Sequence, residues 1–472
     1  MQKAIVDIAM SKRKSKTQKK KFFSNPKNKK FFLTAGNKAL KPKKVPNVAA
    51  KVESVLRKRG AFVVLSTSGC KTIPHCSHGP CLLFGEKENG EIKKRFFACA
   101  VYRLDASTCP FKATVDGDFN ILQEEPEASK HPSDTKAKPS AYAGRIGCIP
   151  KRLKEFPETS TLVFCHECVN VFETKHKCPS QVVTRAELRS PSRLLDAKVS
   201  QTGEAQFFFS DESLDVLKNA VVRSGAEAVL CLGAPRLFET LRNDGIKKRK
   251  LFMLDYDKRY ANFFPARQYA QYSMLVDHYF SKKGQIRLQN FFAKSEKVLL
   301  VCDPPFGVFI EPLMASIDSL MRRYKEARKD DAATFYACIV IPMFVGKYIL
   351  RSHSDFWMSD YRVTYDNHKV FSKASKTTVR CFTNMSPSVF DLSGVEGYKF
   401  CEFCERYVAN ANKHCFMCSA CTSKDGSPYK HCERCMRCVK NTYRHCKKCE
   451  RCHLEGRCSS TVEYDDRGEG CD

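Results

Sequence analysis

The sequence predicts an α/β protein in which a mostly parallel, doubly wound sheet is flanked by small zinc-binding modules. Three observations carry that expectation. From Phe207 to about Asp391, apolar strand-like runs alternate with helical stretches, the pattern of a parallel sheet with crossover helices. Before and after this stretch, many of the 26 cysteines fall in Cys-x-x-Cys pairs with histidines nearby, a spacing that suits tetrahedral zinc. Finally, 472 residues exceed what one core holds, so two to four domains are expected.

Charge is the first signal along the chain. Residues 1 to 44 carry fifteen Lys/Arg against the single acid Asp7, nearly half of the formal net charge of +30. Such a segment buries too little apolar surface to fold, and it attracts polyanions through counterion release. It reads as a solubilising or nuclear-import arm, or as a direct RNA contact. Both readings point to the nucleus or nucleolus, with the cytoplasm also open. The charge on the rest of the chain favours a polyanionic ligand as well. The chain has no run of eighteen apolar residues, and its N-terminus is lysine-rich. A soluble intracellular protein with no membrane partner is therefore expected. In that compartment thiols stay reduced, so the cysteines argue for zinc rather than disulfides.

A helix is expected around Val48 to Arg59. The strings "HCSHGPCLLFG" and "KKRFFACAVYRLDASTCPF" then place Cys76, His78, Cys99 and Cys109 in one module, four ligands of the types zinc takes. Leu82 to Phe84 and Arg95 to Phe97 read as short strands joining its halves. The pattern resembles the GRF-type zinc finger, with Lys94-Arg95-Phe96 where Gly-Arg-Phe would lie. Relatives of that finger bind single-stranded nucleic acid. The Phe and Arg residues suit base stacking, or else form the small core of the module. Cys70 and Cys81 are left as ordinary small buried residues. Residues 123 to 160 read as linker. In "FCHECVNVFETKHKC", Cys165 and Cys168 form a zinc half-site that His176 and Cys178 would close, with His166 as a competitor.

In the α/β stretch, Asp211 is expected to cap a helix from Glu212 to Ser224. "AVLCLGAPR" (228 to 236) reads as a buried strand ending at a glycine. A helix near Leu237 to Asn243, a strand over 251 to 257, the strand "KVLLVCDPPF", a helix from about Ile310 to Arg328 and a strand over 333 to 342 follow. Doubly wound sheets bind ligands at the carboxyl ends of their strands. There, Gly233 lets a ligand approach the backbone, and Asp255 is placed to accept a ribose hydroxyl. This is the adenosine-binding logic of a Rossmann-like fold. No Gly-x-Gly-x-x-Gly is present, which disfavours a dinucleotide oxidoreductase.

Pro304 and Pro305 cannot extend a strand ladder, so they fix a corner just where Asp303 and Phe306 appear. The carboxylate and the Pro304 carbonyl can accept hydrogen bonds from an exocyclic NH₂ while Phe306 stacks on the base carrying it. An amine so oriented can attack a methyl sulfonium, and positioning then does most of the catalysis.

Asp-Pro-Pro-(Tyr/Phe) is the hallmark of amino-methyltransferases. Together with "CLGAPRLFETL", "FMLDYD", "DYRVTYDNH" (360 to 368), "CTSKDG" (421 to 426), the first finger and the cysteine-rich end, it makes the chain resemble the zinc finger CCHC-type domain-containing protein 4 family. Members are adenine-N(6) methyltransferases acting on large-subunit, 28S-type ribosomal RNA. The resemblance implies a class I S-adenosylmethionine-dependent methyltransferase domain. It would hold the cofactor with Gln206, Phe207, Phe208, Phe209, Arg236 (on the carboxylate), Asp255 (on the ribose), Ser273 and Met274 (along the adenine) and Asp303. The family tends to have asparagine where Ser273 stands. Asp303, Pro304, Pro305 and Phe306 would hold the target base, which must leave its stack, so a single-stranded or loop adenosine is expected. Ribosome-assembly proteins are candidate partners.

The C-terminal end repeats His-Cys-x-x-Cys-x-x-Cys at His414, His431 and His445 after an opening pair. Cys401, Cys404, His414, Cys415, Cys418, Cys421, His431, Cys432, Cys435, Cys438, His445, Cys446, Cys449, Cys452 and Cys458 are candidate ligands, and several zinc ions must do the folding of a segment with no room for a hydrophobic core. Which ligand serves which ion is open. This pattern also resembles the cysteine-rich domain of protein S-acyltransferases, whose Asp-His-His-Cys is missing here. The expected organisation is a basic disordered tail (1–60), the GRF-type finger (70–122), the linker (123–160), the second zinc finger (161–182), the methyltransferase domain (183–395), the cysteine-rich zinc domain (398–458) and a tail (459–472). Two rival readings remain: a non-catalytic zinc-rich RNA-binding factor of ribosome assembly, and a methyltransferase acting on DNA.

Overall fold

The computed structural model describes residues 62–101, 109–125, 147–174, 177–198, 205–245, 249–330 and 333–458. The basic tail, the helix expected around Val48 to Arg59, His176 and residues 459–472 lie outside the described residues.

The centre is an eight-stranded sheet: β1 (Ala228–Leu232), β2 (Lys250–Asp255), β3 (Tyr269–Ser273), β4 (His278–Tyr279), β5 (Lys297–Cys302), β6 (Thr334–Pro342), β7 (Trp357–Met358) and β8 (Val379–Thr383). Its order is β4-β3-β2-β1-β5-β6-β8-β7. The five inner strands β3, β2, β1, β5 and β6 run parallel, and β4, β8 and β7 pair antiparallel at the two margins. Alternate strand residues face opposite sides, and both sides are buried, which is why these strands are almost wholly apolar. Val229, Cys231, Leu299 and Val301 pack with Leu214, Leu217, Leu237 and Phe238 of the helices α1 (Asp211–Arg223) and α2 (Pro235–Asn243). Leu230, Leu232, Leu300 and Cys302 pack with Leu288, Phe292, Leu313 and Ile317 of α3 (Lys282–Ala293) and α4 (Ile310–Arg328).

Local chemistry moves some expected boundaries. The cap of α1 is Ser210, whose hydroxyl accepts from the Ser213 N–H at 3.2 Å, and the helix begins at Asp211. The strand expected to stop at a glycine ends at Leu232, because Gly233 turns left-handed (φ 65°); Pro235 then starts α2, the place where proline's fixed φ suits a helix. The expected linker is structured in part. Ile121–Glu125 is a strand and Cys148–Glu155 a helix, whose end Arg185 secures by donating to the Leu153, Phe156 and Pro157 carbonyls at 2.8, 2.9 and 2.8 Å. Among the described residues no helix is long and apolar enough to cross a membrane.

The first finger is a six-stranded antiparallel sheet around the hairpin Gly79–Glu88/Glu91–Cys99. Asn89 (φ 52°) and Gly90 (φ 85°) close that hairpin, the Asn-Gly pair that a tight two-residue turn demands. The finger has two working faces. Leu83 and Phe97 fill its own core, whereas Leu82, Phe84 and Ala98 join the α3/α4 side of the central sheet, with Phe84 5.8 Å from Phe309. Phe96 stacks on Phe84 at 5.6 Å beneath the Lys112 ammonium. These aromatics therefore build and dock the module. The second module, a three-stranded sheet (Leu162–Cys165, Asn170–Phe172, Ser180–Val183), joins the opposite side through Phe164 and Val171.

The cysteine-rich end is a ribbon of four two-stranded hairpins. Its first repeat grips residues 360–362. Asp360, 4% exposed, accepts from the Ala409 N–H at 3.0 Å, Asn412 at 2.8 Å and Arg406 at 3.3 Å. The Tyr398 hydroxyl accepts from the Arg362 N–H at 2.9 Å, and the Arg362 guanidinium donates to the Asp425 carbonyl at 2.9 Å. A buried charge held this way is costly to orphan. Asp360→Ala should lower stability by roughly 3 kcal/mol, measured as a reduced melting temperature together with faster proteolysis between the ribbon and the sheet.

Candidate active site and metal centres

The strand order reverses between β1 and β5, and ligands bind in the crevice that such a reversal opens. A cleft of about 190 Å³ lies there. Its floor is Gly233 and Asp303, its walls are Gln206 to Phe208, Asp255 to Asp257 and Tyr272 to Leu275, and Pro304, Pro305 and Phe306 form its rim. Val101 also lines it, so the first finger, two residues beyond its ligand Cys99, contributes to the wall. Gly233 is required here: a Cβ would lie 2.7 Å from Met274 Cε and 2.9 Å from the Asp303 carbonyl oxygen, filling the floor.

Two acids end β2 differently. Asp255 is pushed up to about 7 by burial and then by the charge of Asp257. Burial also acts on Asp257, but Arg259 and Lys198 outweigh it and hold that carboxyl below its usual value. Asp257 is the structural member, bound by Arg259 at 2.6 Å, Lys198 at 3.3 Å and Gln206 at 3.1 Å. Asp255 lines the cleft and accepts the Asp257 N–H at 2.7 Å.

On the floor, Asp303 Oδ1 accepts from the Tyr365 hydroxyl at 2.7 Å. Burial pushes the Asp303 carboxyl well above the ordinary carboxylate value, and the Tyr365 bond opposes that shift. Phe306 stacks on Phe207 at 5.4 Å with 14° between the rings, while Tyr365 and Phe371 close its edges.

Tyr365 belongs to the segment 360–368, which ties the ribbon to this corner. After the ribbon contacts of Asp360 and Arg362, Thr364 meets Ser210 at 2.6 Å. Next, Tyr365 reaches Asp303, Asp366 pairs with Arg236, and Asn367 donates to the Gln206 carbonyl at 2.8 Å and accepts the Phe208 N–H at 2.8 Å.

Most expected cofactor contacts line the cleft: Gln206, Phe207, Phe208, Asp255, Ser273, Met274 and Asp303. Phe209 and Arg236 do not. Phe209 is 1% exposed and bridges to Tyr365, so it is a core residue. The Arg236 guanidinium pairs with Asp366, donates to the Phe209 carbonyl at 3.0 Å and lies over the Phe208 ring. These contacts brace the wall from behind.

The metal-ligating groups gather as tetrads. Cys76, His78, Cys99 and Cys109 form the first, with Cys81 buried beside them. The ribbon resolves into Cys401, Cys404, His414, Cys421; Cys415, Cys418, His431, Cys438; Cys432, Cys435, His445, Cys452; and Cys446, Cys449, His453, Cys458. Sequence reasoning missed His453, because it breaks the His-Cys repeat by following a cysteine. The sets interleave: each His-Cys step gives its histidine to one centre and its cysteine to the next. Cys404, Cys418 and Cys435 lie 3.2, 3.3 and 3.2 Å from the Nδ1 of His414, His431 and His445. Such distances approach the edge of a zinc tetrahedron, about 3.6 Å for metal–ligand bonds of about 2.0–2.3 Å.

A second observation supports metal. The residue after each ribbon pair, Glu405, Ser419, Met436 and Glu450, has φ of 48–54°, a strained state for side-chain-bearing residues unless their surroundings impose it. Val169, after Cys165 and Cys168, shares it at 48°. The second site thus has the same knuckle, with the Cys178 thiol in reach of Cys168 and Cys165, while its expected ligand His176 is outside the described residues. His166 packs edge-on against Phe164 at 5.0 Å.

The sheet, the cleft and the Asp-Pro-Pro-Phe corner define an N6-adenine methyltransferase domain joined to zinc modules. The sequence pattern of the family described as "Probable N6-adenine methyltransferase" matches residues 200–387. The chain is 33% identical over 390 residues to the rRNA N(6)-adenosine-methyltransferase ZCCHC4 of Homo sapiens, covering 78% of this chain and 74% of that protein. It is 32% identical over 377 residues to the protein of that name in Xenopus tropicalis, covering 75% and 76%. For Mus musculus the identity is 33% over 381 residues, covering 76% and 73%. The chain belongs to the ZCCHC4 family of rRNA N(6)-adenosine-methyltransferases.

Because His453 completes the last tetrad alone, His453→Ala should reduce bound zinc by one ion per chain in elemental analysis and leave the other ribbon centres loaded.

Proposed function

We propose that this protein transfers a methyl group to the N6 amine of an unpaired adenosine in large-subunit ribosomal RNA, using a class I S-adenosylmethionine fold. The observation that carries the reading is the Asp303 to Phe306 corner lining the β1/β5 cleft. Residue character fits the cofactor: Asp255 suits a ribose diol, the Tyr272 to Leu275 wall suits a flat base, and Gly233 leaves room for a ligand against the backbone. S-adenosylmethionine, when bound, supplies an electrophilic methyl group on sulfur. Asp303 and the Pro304 carbonyl would accept hydrogen bonds from the two N6–H groups, which orients the nitrogen lone pair; the protein's contribution is placement rather than covalent chemistry. Phe306 offers a ring to the base. One face of that ring lies on Phe207, so the base takes the other face or displaces Phe207. The zinc centres fold the modules around this corner. The expected site in the cell is the nucleus or nucleolus.

Asp303→Ala should lower methyl transfer to large-subunit rRNA by about 100-fold or more and leave RNA affinity and the melting temperature near wild type. Wild-type turnover by this variant would defeat the reading. The amine needs the ionised carboxylate, so activity is present above the Asp303 pKa and lost as pH falls through it. Since burial raises that pKa, the acid limb should lie above the ordinary carboxylate range. Tyr365→Phe removes a bond that lowers it and should move the limb to higher pH still, as read from the pH dependence of single-turnover rates.

A further inference from the structure

The zinc ribbon carries an exposed aromatic surface that neither the cleft nor the metal centres use. Phe403, Phe416 and Met417, which lie between the paired cysteines of the first two knuckles, are each 70% exposed, and Met436 beside the third pair is 68% exposed. The Phe403 and Phe416 rings stand 5.0 Å apart, with the His414 ring 4.9 and 5.1 Å from them. They are not a core: the buried apolar cluster of the ribbon is Cys401, Val408 and Cys421. Grouped apolar side chains left in water on a module folded by metal mark a binding surface.

Charge identifies what the surface takes. From Tyr398 to Cys458 the ribbon holds thirteen Lys/Arg against six Asp/Glu. Each zinc with three thiolates and an imidazole carries one net negative charge, and the ribbon stays basic after four such centres. Lys399 and Lys413, next in sequence to Phe400 and His414, are exposed. Flat rings on a basic module suit unpaired nucleotides, whose bases stack on the rings while their phosphates meet the module's lysines and arginines. A duplex hides its base faces and gains only the charge contact.

We propose that Phe403, Phe416 and Met417 form a stacking platform for unpaired RNA nucleotides, separate from the Asp303 cleft. It rests on the RNA reading above. Because Asp360 and Arg362 fix the ribbon to the segment that ends at Tyr365, the platform is held in a set position relative to the catalytic corner. The substrate is thus gripped at two points, one catalytic and one not.

The test uses the full-length, zinc-loaded protein with a short fluorescein-labelled single-stranded RNA of mixed, non-self-complementary sequence and the matching duplex. Phe403→Ala/Phe416→Ala should weaken single-strand binding roughly 10-fold or more and leave duplex binding, zinc content and S-adenosylmethionine affinity unchanged. Phe403→Tyr/Phe416→Tyr, which keeps both rings flat, should restore single-strand binding. Unchanged single-strand affinity in the alanine variant overturns the proposal and turns the surface toward a protein partner. Equal weakening for single strand and duplex also overturns it, since stacking would then not be the interaction lost. Wild-type protein that transfers no methyl group to rRNA would instead sink the functional reading, and the binding comparison still decides the platform.

Discussion

The hydrogen bond from Tyr365 to Asp303 is the constraint on which the site depends. A carboxylate at a strand end, with two prolines behind it, has a fixed backbone but a free side-chain rotation. Tyr365 removes that freedom and opposes the tendency of burial to neutralise the acid. Tyr365 can do so only because its own segment is held on both sides, by Asp360 and Arg362 in the ribbon and by Asp366 on Arg236. The position of one carboxylate therefore depends on contacts that begin in a zinc module far along the chain.

That dependence explains why so small a catalytic motif needs so large a protein. The central sheet supplies the cleft, because reversing strand order between β1 and β5 leaves Gly233 and Asp303 side by side. The first finger supplies Val101 to the cleft and seals the α3/α4 face of the sheet, and the second module seals the opposite face. The ribbon anchors the segment that aims the acid. Zinc makes these modules possible, since each is too short to fold on apolar burial alone.

Much of this was legible in the sequence. The strands were readable because both faces of a parallel sheet are buried, which turns Val298 to Cys302 into an uninterrupted apolar run. The Asp303 corner was readable because prolines dictate backbone geometry locally. The tetrads were readable as residue types but not as pairings, because the His-Cys step serves two centres at once and no spacing rule separates them. Arg236 and Phe209 misled for a related reason. They adjoin the cleft in sequence, but their partners, Asp366 and Tyr365, lie more than a hundred residues away, and only the folded chain shows that those partners claim them. The division of labour between Asp255 and Asp257 was hidden too, since it rests on where Arg259 and Lys198 point.

The account is tested most directly by mass spectrometry of nucleosides from large-subunit ribosomal RNA of cells lacking the protein. It predicts that N6-methyladenosine falls there, that the wild-type gene restores it, and that a copy carrying Asp303→Ala does not. An unchanged level of that nucleoside in the deficient cells, or full restoration by the Asp303→Ala copy, would contradict it.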